Sequence, residues 1–367
     1  MMRQVVSLIV AVLSAMITGQ VDACTSAIIS GKVSRSGRPL LWKHRDTSHD
    51  GNFVQYVPAV NGNHAYEALF NSGDSLLAEA WMGMNDAGFA IMNTASYNLA
   101  PDTASVKDRE GLLMSRALQT CASLADFETL LDTLPRPMGV QANFGVIDAS
   151  GAGAFYETDD NGSRRFMLEE APHGVLIRTN YSCSGDKDCG YGYIRSDNAG
   201  HFIIPAAERH DVTPELLTDT VSRSFYHSLI GRDLSLGDAP YIIDQDFVPR
   251  ATSTASVVIE GVNRGESPRL MIMWTALGYP PASHVEAVTP GCVPMSLRPD
   301  PGTWRSPFYD EVAKRKGRIF DIVRGNGGRY INVKALNEIS SGQHAVSLDN
   351  YRRGRIANGR LKKQLKK

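Results

Sequence analysis

Cys24 is the residue in this chain whose type and setting best fit it for chemistry. It follows a run that reads as a cleavable export signal: Arg3, then the apolar stretch VVSLIVAVLSAMI over 5–17, then the more polar TGQVDA. Val21 and Ala23 are small residues at −3 and −1, which places the cut between Ala23 and Cys24. Cleavage there joins a thiol and a free α-amine on one residue. An α-amine titrates near about 7.7–8.0 and a cysteine near about 8.5, so both are usable at neutral pH. The amine, directly or through one water, can take the thiol proton, and the thiolate can attack an amide carbonyl. No histidine is needed as base. The nine histidines form no HExxH pair and no Cys/His zinc spacing, and no GxSxG turn is present. The pattern calls for no metal and no cofactor.

A second reading of the same cysteine is lipidation, which would block thiol and amine together and leave a tethered binding protein. Val21 and Asp22 sit where that signal favours leucine and a small residue, and an apolar strand follows Cys24 where a polar tether is usual.

The remaining cysteines are Cys121, Cys183, Cys189 and Cys292. Export implies an oxidising compartment, and an odd total leaves one thiol over. Cys183 and Cys189 lie in the short loop SCSGDKDCG, which suits a local bridge. A Cys121–Cys292 bridge would leave Cys24 free. Three pairings are open in principle, as is a fully reduced chain.

The elements that must position Cys24 read as a hairpin. Residues 25–30 form a strand, 34–39 a turn, and 40–43 the return strand. Further strands are expected over 53–57, 65–70, 78–82 and 89–93, with the MNDAG turn before the last. Two helices follow, over 109–121 and 124–134, the second ending at Pro135. Strands return over 143–148, 154–158, 164–168 and 175–179. Residues 214–224 read as helical with Thr213 as N-cap. Late strands cover 256–260 and 270–274, and helices cover 308–323 and 333–355. With no repeat and no linker, this order argues for one α+β domain over 24–367 with helices outside layered sheets. The group Trp42, Tyr56, Tyr66, Phe70 and Trp81 reads chiefly as sheet core, with some members free to line an apolar pocket.

Bulk composition is that of an ordinary globular chain with enough apolar residues for a large core. The chain has 367 residues, 43% hydrophobic and 21% charged, with a formal net charge of −1. That balance offers no field for nucleic acid or an anionic membrane. No segment after the export signal reads as a membrane span. The eight basic residues between 352 and 367 are unaccompanied by acidic ones and read as a solvated helix or tail. Oligomeric state is not legible in the sequence.

The segment from Cys24 to Ser48 resembles the opening of the N-terminal-nucleophile (Ntn) hydrolases of the choloylglycine hydrolase, penicillin V acylase and isopenicillin N acyltransferase group. Members begin with Cys-Thr, turn through a hairpin, and return to an (Arg/Gln)-Asn-x-Asp segment. Here the return reads Lys43-His44-Arg45-Asp46. Three later segments agree in order: MNDAGFAIMNTAS (84–96), HGVLIRTNYS (173–182) and PRATSTASVVIEG (249–261). The resemblance spans residues 24–261. It implies a four-layer αββα sandwich, two antiparallel sheets between helix layers. It also implies cleavage of a linear, non-peptide amide C–N bond through a thioester on Cys24, or acyl transfer to another acceptor from that thioester. By that likeness, Asp46 orients the α-amine, Asn180 and Asn93 donate to the oxyanion, and Arg250 favours the thiolate. Arg45 and Trp81 are expected to touch the substrate, a small-molecule acyl amide. The expected setting is periplasmic or extracellular, or at a lipid anchor on the alternative reading.

Overall fold

A computed structural model describes residues 23–322 and 329–366. The expected export signal therefore lies outside the described residues, apart from Ala23.

Two antiparallel sheets dominate. The first carries six strands in the order β10-β1-β2-β14-β15-β16, namely β1 (Ala23–Ile29), β2 (Leu40–Asp46), β10 (Val175–Arg178), β14 (Ser253–Glu260), β15 (Ile272–Leu277) and β16 (Glu286–Val288). The second is a seven-stranded meander in sequence order: β3 (Asn52–Val57), β4 (Tyr66–Asn71), β5 (Ala80–Asn85), β6 (Ala90–Ala95), β7 (Ala142–Ile147), β8 (Gly153–Thr158) and β9 (Ser163–Met167). Two small ribbons complete the strands. One pairs β11 (Tyr226–His227) with β12 (Arg232–Asp233); the other pairs β13 (Tyr241–Ile243) with β17 (Tyr330–Asn332).

Strand alternation explains the layering. In β1, Ile28 enters the core between the sheets, while Ala27 and Ile29 enter the core on the outer face. In β2, Leu41 faces the inner core while Leu40 and Trp42 face outward. The inner core meets Leu69, Met82, Met92 and Phe155 from the seven-stranded sheet. Beyond that sheet, Phe70, Phe89, Ile91 and Phe144 pack under two helices, α1 (Glu110–Thr120) and α2 (Leu124–Thr133). Beyond the six-stranded sheet, Trp42, Val258 and Trp274 pack under α3 (Tyr193–Glu208) and α5 (Val333–Gln364). The remaining helix, α4 (Pro307–Ile319), joins the inner core through Phe308 and Val312. The order helix, sheet, sheet, helix is the αββα sandwich expected.

Local signals account for the ends of these elements. Ser123, Ser306 and Asn332 each accept a backbone N–H in the first turn of α2, α4 and α5. Gly88 adopts φ 91° in the MNDAG turn, a left-handed conformation suited to glycine. Thr213 caps as expected, its Oγ1 accepting from Leu216 N, but the segment beyond it is a short π turn followed by a 3₁₀ turn. The basic C-terminal segment is helical to Gln364. No sequence signal announced α3, which contains Gly200 and Pro205 and starts from a left-handed Gly192 rather than a capping side chain.

The expected disulfides are not formed. All five cysteines are free. The loop holding Cys183 and Cys189 is tied down by other groups: Glu157 accepts the N–H of Cys183 and of Ser184, and Asn98 donates to the carbonyls of Ser182 and Asp186. Cys121 is buried among the helices outside the seven-stranded sheet. Cys292 is exposed in a turn whose Gly291 N–H reaches Glu67. On β4, Glu67 alternates with Tyr66 and Ala68, which face the helix layer, so the sheet stands between the two thiols. No described helix is long and apolar enough to cross a membrane.

Candidate active site

Cys24 lies near the start of β1, where its register partner on β2 is Arg45. Even-numbered residues of β1 share the face of Ile28, so Cys24 points toward the space between the sheets. It is 8% exposed and opens onto a cleft of about 910 Å³ lined also by Lys43, Arg45, Asp46, Trp81 and Asn93. Residue 24 is here linked to Ala23, so its nitrogen is a peptide N–H rather than an amine. That N–H donates to Asn180 Oδ1 at 2.9 Å. The thiol lies 4.0 Å from the backbone oxygen of Asp46.

Asn180 follows β10, the strand that pairs with the other side of β1. Its amide NH₂ donates to Ala95 O at 2.9 Å, and its Oδ1 faces Cys24 N. These bonds show a group whose oxygen holds the nitrogen of residue 24 and whose NH₂ reaches Ala95 O.

Asp46 ends β2, and its side chain is wholly buried. Arg250 donates to Asp46 Oδ2 from Nη2 at 2.6 Å and from Nε at 3.2 Å. Ser253 donates its hydroxyl to Asp46 Oδ1 at 2.6 Å and accepts the N–H of Arg250 at 2.9 Å. With that hydroxyl proton on Asp46, the 2.8 Å contact between His44 Nε2 and Ser253 Oγ assigns the ring proton to Nε2. Burial pushes His44 down to about 4, with Asp46 opposing and Arg250 and Arg195 adding to the effect, so the ring is neutral at pH 7. Arg250 thus reaches Asp46 rather than the sulfur.

Asn93 comes from β6 of the opposite sheet. Its Oδ1 accepts from Lys43 Nζ at 2.6 Å, a bond that bridges the two sheets beside the cleft. With the oxygen engaged by Lys43, the NH₂ is the group Asn93 has left to offer. Lys43 also donates to Trp81 O at 2.9 Å. The Arg45 guanidinium lies 4.8 Å from the centre of the Trp81 ring and donates to Asn52 and Asn71. Of the aromatic group, Trp42, Tyr66 and Phe70 are core, Tyr56 is exposed, and Trp81 reaches the cleft.

The structure thus gathers Asp46, Asn180, Asn93, Arg45 and Trp81 around Cys24, with Arg250 attached through Asp46. Sequence reading missed Arg195. This residue projects from α3 and is 1% exposed. Its Nη1 donates to Cys24 O at 2.6 Å and to Thr25 Oγ1 at 3.0 Å, and its Nη2 donates to Asn180 Oδ1 at 2.7 Å. Burial pushes it down to about 10, with Arg250 contributing. Nothing in the run YIRSDNAG marks this arginine apart from a surface one. Ser253 lay inside a motif segment without being singled out. Among the described residues, no group of His, Cys, Asp and Glu could hold a metal ion.

No family model and no curated protein matches the chain. Among solved structures it is similar to a variant of conjugated bile acid hydrolase from Clostridium perfringens, at 11% identity over 72% of this chain and 92% of that one, with a TM-score of 0.44. The Caenorhabditis elegans ortholog of N-acylethanolamine-hydrolyzing acid amidase matches at 12% identity over 65% and 92%, with a TM-score of 0.41. Penicillin V acylase from Agrobacterium tumefaciens matches at 13% over 72% and 86%, with a TM-score of 0.42. The αββα layering is read from this chain's own two sheets and three cores.

Proposed function

We propose that this protein is an exported cysteine Ntn hydrolase. Its mature domain begins at Cys24, and it cleaves a linear, non-peptide amide of a small molecule. The observation that carries the reading is the treatment of residue 24. Its nitrogen is held by Asn180, its carbonyl by Arg195, and its side chain faces a large cleft with polar groups from both sheets.

In the proposed cycle the freed α-amine takes the thiol proton, and sulfur attacks the substrate carbonyl carbon. The oxyanion is met by the Asn93 NH₂. Collapse breaks the C–N bond, and the ammonium returns its proton to the leaving amine. Water then attacks the thioester, loses a proton to the α-amine, and releases the acid with the thiol restored. An amine acceptor in place of water would make the same site an acyltransferase.

The test is intact mass and N-terminal sequencing of the exported protein, followed by reaction with p-nitrophenyl acetate. The expected result is a chain starting at unmodified Cys24 that gains one acetyl group there, with no adduct in Cys24→Ala. A lipidated Cys24, or a different first residue, defeats the proposal.

A further inference from the structure

Arg195 is buried in an unusual way. Its buried Nε has no hydrogen-bond partner among the described residues, and Asp46, a carboxylate that acts on it, is paired with Arg250 at 2.6 Å. A buried cation that shares its nearest carboxylate with another guanidinium is costly to keep. What the guanidinium does touch is Cys24 O, Thr25 Oγ1 and Asn180 Oδ1. The same Asn180 oxygen accepts Cys24 N–H. Carbonyl and nitrogen of residue 24 are therefore tied to one cation, directly on one side and through a shared acceptor on the other.

We propose that Arg195 is a positioning residue that keeps the freed α-amine of Cys24 neutral and therefore able to act as base. This rests on the cysteine chemistry proposed above. A protonated amine would place a second positive charge beside a guanidinium that is itself buried, where like charges within about 4–6 Å disfavour ionisation. The other groups facing this point do not cancel the effect. On β2, the Asp46 carboxylate is already matched by Arg250, His44 is neutral, and Arg45 is a further cation. In the segment before β14, Asp246 is exposed and screened, and burial pushes Asp244 up to about 6. From β10 onward, the nearest group is the uncharged Asn180. From the opposite sheet it is Asn93, with Lys43 bound to it.

Two measurements decide it. In mature wild-type protein labelled with ¹⁵N at Cys24, the α-amine should titrate clearly below the ordinary range of about 7.7–8.0. A midpoint within or above that range overturns the proposal, and no variant has to fold for this result. In the second, acylation of Cys24 by p-nitrophenyl acetate is followed from pH 5 to 9. Arg195→Met should move the rising limb up by about one pH unit. Arg195→Lys, which keeps the charge, should leave the limb in place while lowering the plateau. An unmoved limb in a folded Arg195→Met protein overturns the proposal. If wild-type Cys24 takes no acetyl group, the cysteine reading fails, and the titration still decides the role of Arg195.

Discussion

The Arg250 guanidinium holds the Asp46 carboxylate at 2.6 Å through Nη2 and 3.2 Å through Nε, at a point where Asp46 has no contact with solvent. Removing one member of such a buried pair leaves the other charge unanswered, at a cost of about 3–5 kcal/mol. Asp46→Asn and Arg250→Met should each destabilise the protein by that order, and the double variant should cost much less than their sum. Urea unfolding of the four proteins measures this coupling. Additive losses would mean that the pair is not a unit.

Asn93 is expected to act in the reaction rather than in folding. Its oxygen is engaged by Lys43, and its NH₂ remains for the oxyanion. Asn93→Ala should slow acylation of Cys24 by about 10²–10³. A loss confined to KM would instead assign Asn93 to binding the substrate ground state.

His44 should make the protein sensitive to acid. Its pKa falls from 6.5 in the unfolded chain to about 4 in the fold, so the unfolded state binds the proton more readily. Stability is therefore intact above pH 6.5. It declines as pH falls toward 4, by on the order of 3 kcal/mol in total. His44→Gln keeps a donor for Ser253 without a titrating ring. Urea midpoints at pH 7, 6, 5 and 4 should show a shallower decline for the variant than for wild type, and parallel curves would refute the assignment.

Gly192 sets the entry of α3 and with it the place of Arg195. Its φ is 88°, and a Cβ there would sit 2.4 Å from Arg195 Nη2 and 2.8 Å from Thr179 Oγ1. Gly192→Ala should cost about 1–3 kcal/mol from the backbone conformation alone. It should also slow acylation of Cys24, because Arg195 must move. A variant as stable and as reactive as wild type would show that α3 can shift freely.

The hairpin from Cys24 to Asp46 was legible because alternation and turn residues are local properties, carried by a few adjacent positions. So were the cap at Thr213 and the MNDAG turn. The motif segments placed Asp46, Asn180 and Asn93 in chain order, and the fold brought them to one cleft. What their side chains do was decided elsewhere. Asn180 turns its oxygen to Cys24 N and its NH₂ to Ala95, and Arg250 turns its guanidinium to Asp46. The cysteine loop is held by Glu157 and Asn98 rather than by sulfur. Arg195 stands 171 residues from Cys24 in sequence and bonds its carbonyl. Its burial follows from α3 lying over β1, and a run containing Gly200 and Pro205 gives no pattern from which that helix or its orientation can be read. Cys24 and its hairpin are thus written in neighbouring residues. The charges around it depend on which distant strands and helices pack together, and only the tertiary structure decides that.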